Sequence, residues 1–346
     1  MEAARLHAYG DHGLHLDEVP EPALVSPLDV IVRIGGAGVC RTDLHILEGQ
    51  WKEKVGVKLP YTLGHENAGW IHQKGSAVTN VEIGDPVILH PLMTCGFCRA
   101  CRAGDDMHCS SGAFPGISVD GGFARFLRTS ARSAVKLDRS LHPKDVAALA
   151  DAGLTAYHAV KKAALLLYPG TKAVVIGAGG LGHIGIQCLK ALTPAEIIVV
   201  DRSEGALALA KEIGGDHTVR AGGQAVAAVK ELTGGAGAEV VIDFVGEGGA
   251  VEAGVAMLRR AGSYFVIGYG GAVNVPTIDI ISTEINFVGN LVGTYNDLAE
   301  LMTLAALGKV RLHTRVFPLE GVNDALSELN AGKLQGRAIL VPKGAM

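Results

Sequence analysis

The sequence predicts an α/β protein of two domains. One is a doubly wound parallel sheet flanked by helices; the other is smaller, mostly β, and carries a cysteine-rich lobe. Three observations point there. From residue 172 onward, short apolar runs alternate with helical stretches, and strands joined through helices imply a parallel sheet with right-handed crossovers. The first 150 residues are turn-rich, with β-type runs broken by Gly and Pro, the texture of an irregular β domain. Four of the six cysteines fall between Cys95 and Cys109, too clustered for a disulfide scaffold in a chain this long.

Length and composition agree. At ~150 residues per domain, 346 residues suggest two domains. A hydrophobic fraction of 48% against 19% charged excludes global disorder. No run approaches the ~18 apolar residues of a membrane helix. The N-terminal MEAARLHAYGDHGLHLDE lacks the basic-then-apolar layout of a signal peptide, so a cytoplasmic protein away from membranes is expected. Net charge is −4 with both signs dispersed, which leaves no basic footprint for nucleic acid. Glycine, at 47 residues, is almost twice the usual ~7%; such a chain needs many tight turns or close backbone approaches to a ligand.

In chain order, DVIVRIGGAGV (29–39), AGWIHQKG (68–75) and GDPVILHPL (84–92) read as strands of the first domain. ALADAGLTAYHAVKKAALLL (148–167) reads as one helix or two, stopped by PGT (169–171). KAVVIG (172–177) is a buried strand, GGLGHIGIQCLKAL (179–192) a helix, EIIVVD (196–201) the next strand and GALALAKEIG (205–214) the next helix. EVVIDFVG (239–246), SYFVIGYGG (263–271) and NFVGNLVG (286–293) continue the sheet. LAELMTLAALGKV (298–310), a helical stretch near 320–331 and GRAILVP (336–342) are expected to return to the first domain. The boundaries read are 1–152 with a lobe at about 91–112, then 153–292, then 293–346. No repeat or low-complexity segment interrupts them.

VVIGAGGLG places Gly177, Gly179 and Gly182 in a GxGxxG spacing. The pattern is weak alone, but here it follows a β-type run and opens a helix. The first glycine serves the tight turn, the second admits a pyrophosphate, and the third allows close helix–strand packing. Free N–H groups at the helix start then face the phosphates. Asp201 ends the next strand, where a carboxylate accepts ribose hydroxyls and repels a 2′-phosphate, favouring NAD over NADP. Arg202 beside it softens that preference. This is the fingerprint of a Rossmann domain; the rival reading is a Gly-rich turn without nucleotide.

Cys95, Cys98, Cys101 and Cys109 follow C-x2-C-x2-C-x7-C. Four thiolates close a tetrahedral shell around Zn²⁺ and leave no open position, so the site is structural. An iron–sulfur cluster is the rival, but ferredoxin motifs place the fourth Cys after three residues and then Pro; here Ser110 follows Cys109.

GVCRTDLH (38–45) and LGHENAG (63–69) hold Cys40, His65 and Glu66. Singly, Cys40 and His65 are ordinary core residues. Together they look like two ligands of an open zinc site, which takes three protein ligands and leaves the fourth position to water or substrate. Spacing does not reveal the third. Asp151 in LADAGLT is the best candidate; Cys188 is a poor rival inside the helix after the glycine loop.

The combination of GVCRTDLH, LGHENAG, the four-cysteine lobe, DAGLTAYHA, VVIGAGGLG, Asp201 and GRAILVP resembles the zinc-dependent medium-chain alcohol dehydrogenases along nearly the whole chain. LPYTLGHENAG, GDPVILHP, CRAGDDMHC and YFVIGYGG look most like their shorter, tetrameric bacterial and archaeal branch. The resemblance implies a GroES-like catalytic domain beside the Rossmann domain. It also implies NAD as cofactor, two zinc ions per subunit, a small alcohol, aldehyde or ketone as substrate, and a homotetramer.

Carried onto this chain, Cys40, His65 and Asp151 hold the catalytic zinc, with Asp where Cys is commoner. Glu66 sits behind the metal. Asp43 bonds the His65 ring and fixes its tautomer. Thr42 touches the alcohol oxygen and begins a proton path that ends at His45. Arg41, in place of a common His, and Arg337 hold the pyrophosphate. Gly177, Gly179, Gly180, Leu181, Gly182, Asp201, Arg202 and Val245 complete the cofactor contacts.

The residues alone leave other readings open. Thr42 and Asp43 could cap the following helix, His45 could be a surface histidine, and Arg337 a solvated charge. Trp51, Leu92, Met93, Tyr157 and Tyr295 are pocket liners or ordinary core. His90, His108, His158 and His183 are left structural. Rival functions are a polyol or threonine dehydrogenase with the same ligands, a zinc-free quinone or enoyl reductase, and a non-catalytic nucleotide- and zinc-binding redox sensor.

Overall fold

The computed structural model describes residues 1–345, the side chains of residues 54 and 55 excepted. The chain divides into two compact units: Met1–Leu154 with the chain from Thr294 onward, and Thr155–Gly293.

The second unit is built on six parallel strands: Lys172–Ile176, Glu196–Asp201, His217–Arg220, Ala238–Asp243, Leu258–Val266 and Asn286–Gly289. Numbered one to six along the chain, they lie in the order 3-2-1-4-5-6. This is the doubly wound arrangement, with its switch point between strands one and four. Val174, Ile198, Val241 and Tyr264 are buried in one core cluster, as expected of strands covered on both faces.

The turns after strands one and four differ from the sequence expectation in an informative way. The fourth strand stops at Asp243 rather than 246. Asp243 Oδ1 accepts from Val245 N at 2.8 Å and Gly246 N at 3.0 Å, which folds the chain over. Its Oδ2 accepts the hydroxyl of buried Tyr264. The helix after strand one begins at Gly182 rather than 179, because Gly177 to Leu181 form the turn; a Cβ on Gly182 would collide with the Gly177 carbonyl.

At the opposite ends of the strands a ladder of alternating charge crosses the sheet. His217 and Lys172 flank Glu196, and Arg259 Nε donates to Glu239 Oε1 at 3.1 Å. Glu239 also accepts from Lys172 N at 2.7 Å. Lys172, then His217, hold the Glu196 carboxyl below the usual carboxylate range.

In the first unit the central strand is Asp29–Val39, as the sequence predicts. Beside it on one side lie Arg337–Val341 and then Thr314–Pro318; on the other lie Glu66–Lys74, Pro86–Leu89 and Ala134–Lys136. Phe126–Ser130 also pairs with it. Ala338 pairs antiparallel with Val39, so the C-terminal segment completes this sheet. A separate sheet holds His15–Glu18, Glu2–Leu6 and Tyr61–Thr62. Leu6, Ile34, Leu63, Phe123 and Leu340 share the core.

The expected 148–167 helix resolves into a short turn, Ala147–Leu149, and the helix Ala152–Ala164. Asp151 stands in the break between them. Among the described residues no helix is long and apolar enough to cross a membrane.

Candidate active site

Cys40, His65, Glu66 and Asp151 each offer one donor atom, and these atoms lie within 4.8 Å of one another. All four belong to the first unit. Cys40 follows the central strand and caps the helix Arg41–Leu47. His65 immediately precedes the strand Glu66–Lys74. Register sets Gly38 opposite Glu66; a Cβ on Gly38 would collide with the Glu66 carboxylate, so only glycine lets that side chain lie against the central strand.

Asp43 joins two of the donors. Its Oδ2 accepts from Cys40 N at 2.8 Å, and its Oδ1 lies 3.3 Å from His65 Nδ1. Asp43 is fully buried, so the cap and the His65 contact are one device. His65 Nε2 lies 3.5 Å from Asp151 Oδ2. The edge of a tetrahedral zinc shell between N and O ligands is about 3.3 Å.

Neither ring nitrogen of His65 has a hydrogen-bond partner among the described residues, although the ring is buried. A buried polar atom without a partner costs ~1–3 kcal/mol, and a cation at Nε2 removes that cost. Burial disfavours a charged His65 ring, but the Asp43 carboxylate, and then Asp151, outweigh it and hold the pKa well above the usual histidine value. Proton and metal compete for the same lone pair. The donor set therefore fits zinc: a thiolate and a carboxylate balance the ion's charge around a neutral imidazole.

Glu66 is held away from this position. Its Oε1 accepts from Ala152 N at 3.0 Å and its Oε2 accepts from Arg337 Nη2. Arg337, assigned from the sequence to the pyrophosphate, is only 4% exposed. Its guanidinium reaches Glu66, behind the metal donors. Thr42 and His45, three residues apart on the same helix, share a face and are both half-buried, whereas Arg41 is exposed.

The four cysteines of the lobe also converge, with their sulfurs within 4.8 Å of one another. Cys95 Sγ and Cys101 Sγ are 3.9 Å apart, against about 3.8 Å for the edge of a tetrathiolate zinc shell. Backbone N–H groups point at the sulfurs: Phe97 N and Cys98 N to Cys95 at 3.4 Å, and Cys95 N to Cys109 at 3.3 Å. Such donors favour thiolates; those of Cys101 and Ser110 draw the Cys98 thiol down to about 6. Burial pushes Cys101 up to about 12, a cost that a bound cation offsets. Arg132 ties the lobe down through Asp106 Oδ1 at 2.8 Å and Thr94 Oγ1 at 2.9 Å.

In the second unit, Gly177 adopts φ of +86°, and a Cβ on Gly179 would meet nothing within 4 Å. The helix Gly182–Leu192 has no side-chain cap. An open backbone before an uncapped helix is the cradle a pyrophosphate needs. Gly180 and Leu181 lie within this turn, and Val245 rests against Gly177. Asp201, expected from the sequence to accept ribose hydroxyls, holds backbone here: Oδ2 accepts from Ala178 N and Oδ1 from Ser203 N, each at 2.7 Å. Arg202 is exposed.

His183, structural as the sequence suggests, places Nδ1 2.9 Å from the Gly179 carbonyl and holds the glycine turn. One neighbour of the donor set escapes the sequence reading. Phe114 sets its ring edge-on to His65, centroids 5.9 Å apart, and no motif announces it. Among the suggested pocket liners, Trp51 packs on the core of the first unit. Met93 bridges to Ala113, and Tyr295 donates its hydroxyl to Ala134 O at 3.3 Å.

Comparison with known proteins agrees with this geometry. Residues 26–139 match the family model of the alcohol dehydrogenase GroES-like domain, and residues 180–306 that of zinc-binding dehydrogenases. The crystal structure of an alcohol dehydrogenase from Aeropyrum pernix superposes with a TM-score of 0.96 at 50% identity, covering 99% of this chain and 100% of that one. An NAD-dependent alcohol dehydrogenase of Sulfurisphaera tokodaii is 37% identical over 99% of this chain and 100% of its own length. A D-arabinose 1-dehydrogenase (NADP(+)) of Saccharolobus solfataricus is 36% identical over 94% of this chain and 92% of its own. With its fold, its two donor clusters and these full-length relatives, the chain belongs to the zinc-dependent medium-chain alcohol dehydrogenase family.

Proposed function

We propose that the chain is an NAD-dependent alcohol dehydrogenase that interconverts primary or secondary alcohols with aldehydes or ketones. The observation that carries this reading is the buried His65 ring, whose nitrogens lack a hydrogen-bond partner among the described residues, within the Cys40–Asp151 donor set. In the proposed assignment Cys40, His65 and Asp151 hold the catalytic zinc, and Cys95, Cys98, Cys101 and Cys109 a structural one. Zinc supplies Lewis acidity toward the alcohol or carbonyl oxygen. Bound NAD would supply the hydride acceptor, and the protein's task would be alignment.

The chain's own residues do the rest. Asp43 fixes the His65 tautomer, so that Nε2 presents its lone pair. Thr42 Oγ1 would receive the alcohol proton while passing its own along the path that ends at His45. His45, on the same helix face, would exchange that proton with water, a role suited to an imidazole side chain. Arg337 holds the Glu66 carboxylate back and keeps it from filling the fourth position meant for substrate. Gly177–Gly182 and Asp201 receive the cofactor.

The direct test is NADH formation with a panel of primary, secondary, cyclic and polyol alcohols, sugars and threonine. Turnover on simple alcohols that is lost with a zinc chelator is expected. A strong preference for a polyol, sugar or threonine would move the substrate class, a direction the D-arabinose dehydrogenase relative makes worth including. No turnover on any member by zinc-loaded protein would favour the non-catalytic sensor.

The finer assignments are also proposals. Clustered thiols on a zinc lobe suit the reducing cytoplasm. Asn286–Gly289 is the edge strand of its sheet. Leu291 and, on the helix Thr277–Thr283, Ile278 and Ile281 are 56%, 66% and 71% exposed. An open strand edge beside apolar side chains supports pairing with a second copy, as part of a homotetramer. Sedimentation as a monomer would overturn that assembly.

A further inference from the structure

The end of the cofactor cradle that would face the adenosine ribose carries more charge than ribose hydroxyls require. Strands two and three of the parallel sheet end side by side, with Asp201 in register with Arg220. Arg202 follows Asp201, is exposed, and makes no ion pair or hydrogen bond among the described residues. Ser203 caps the helix Glu204–Glu212, accepting from Ala206 N at 3.3 Å. Glu204, the first residue of that helix, pairs with Arg220. Two arginines, a serine and a helix start thus adjoin Asp201 along the chain or across the strand register.

These are the parts that receive a 2′-phosphate, since an arginine near the ribose accommodates that group and a carboxylate repels it. The Arg220–Glu204 pair is exposed on both sides, 60% and 74%. Such pairs contribute little to folding. Its consequence here is electrostatic: Glu204 cancels the charge that Arg220 would present to an incoming dianion.

We propose that this chain carries a masked 2′-phosphate site, with Arg202 and Arg220 as its cationic walls and Asp201 and Glu204 as the carboxylates that close it. Preference for NAD over NADP is then set by the hold of Glu204 on Arg220 as well as by Asp201. The inference rests on the reading that NAD binds at the glycine turn.

The test measures NADH and NADPH affinity by fluorescence on the full-length, zinc-loaded protein, with adenosine 2′,5′-bisphosphate as a probe of the phosphate alone. Asp201→Gly is expected to weaken the preference for NADH. Because Asp201 also anchors Ala178 N and Ser203 N, Asp201→Asn, which retains one oxygen acceptor, is measured beside it. Adding Glu204→Gln to either variant is expected to raise the NADPH-to-NADH affinity ratio by about tenfold, the worth of one charge-assisted contact. Arg220→Ala in that double variant should cancel the gain, and the bisphosphate should follow the same pattern. No gain from Glu204→Gln, or a gain that survives Arg220→Ala, would overturn the proposal while leaving NADH binding intact. Failure of the unmodified protein to bind NADH would overturn the underlying site as well.

Discussion

Replacing His65 with alanine is expected to abolish NADH formation and to remove one zinc ion per chain, while the fold persists. Among the described residues the ring nitrogens make no close hydrogen bond; they face the Asp43 and Asp151 carboxylates at 3.3 and 3.5 Å, so the backbone framework does not depend on them. What disappears is a metal donor between Asp43 and Asp151. Losing ~4 kcal/mol of Lewis-acid stabilisation lowers the rate by about 10³-fold. Metal analysis should find about one zinc per chain instead of two, the remainder held by the four cysteines, as four-thiolate sites are closed and independent of the open one. The decisive comparison is of activity with metal content. Wild-type turnover, or unchanged zinc content, would remove His65 from the ligand set. Lost turnover with both zinc ions retained would assign His65 to another role. A circular dichroism spectrum matching the unmodified protein separates these outcomes from misfolding.

What could be seen in the sequence was what local chemistry writes into neighbouring residues. The alternation of apolar runs and helices from residue 172 on was enough for a parallel sheet, because strands buried on both faces are continuous apolar runs. The cysteine lobe was equally legible, since its donors lie close along the chain. Cys40 with Asp43 is a local pair too, three residues apart on one helix turn.

The unread parts depend on distant residues or on side chains that redirect the backbone. Asp243 looked like one more residue of an apolar strand; it ends that strand by accepting two N–H groups from the following turn. The strands His217–Arg220 and Thr314–Pro318 are short and partly exposed, so alternation never rises above their polar neighbours. The sequence marks Asp201 for ribose, whereas its hold on Ala178 depends on strands one and two lying side by side. Glu66 and Arg337 lie 271 residues apart in sequence, and no spacing rule joins them. Their pairing follows from the strand register that sets Arg337–Val341 and Glu66–Lys74 on either side of Asp29–Val39.

That pair leads to the second large effect. Glu66 is fully buried and Arg337 nearly so, and the guanidinium balances the carboxylate in a direct ion pair. Arg337→Ala leaves Glu66 with the Ala152 N–H at 3.0 Å and no counter-charge. Breaking a buried pair from one side costs about 3–5 kcal/mol, mostly as the penalty of the charge left behind. The apparent melting temperature of the zinc-loaded protein should fall accordingly. Glu66→Gln in the Arg337→Ala background removes the stranded charge and keeps an oxygen to accept from Ala152 N. This double variant should recover a large part of the loss, whereas additive losses would show that the two residues act independently. Activity adds a second readout. Released from Arg337, the Glu66 carboxylate is free to turn toward Cys40 and His65, its neighbours in the donor cluster, and compete for the position open to substrate. Arg337→Ala should therefore lower kcat/KM for the alcohol, and Glu66→Gln should restore it in part, even if affinity for NADH stays reduced. A loss of NADH affinity alone, with melting temperature and alcohol kcat/KM unchanged, would instead make Arg337 a phosphate ligand without a hold on Glu66.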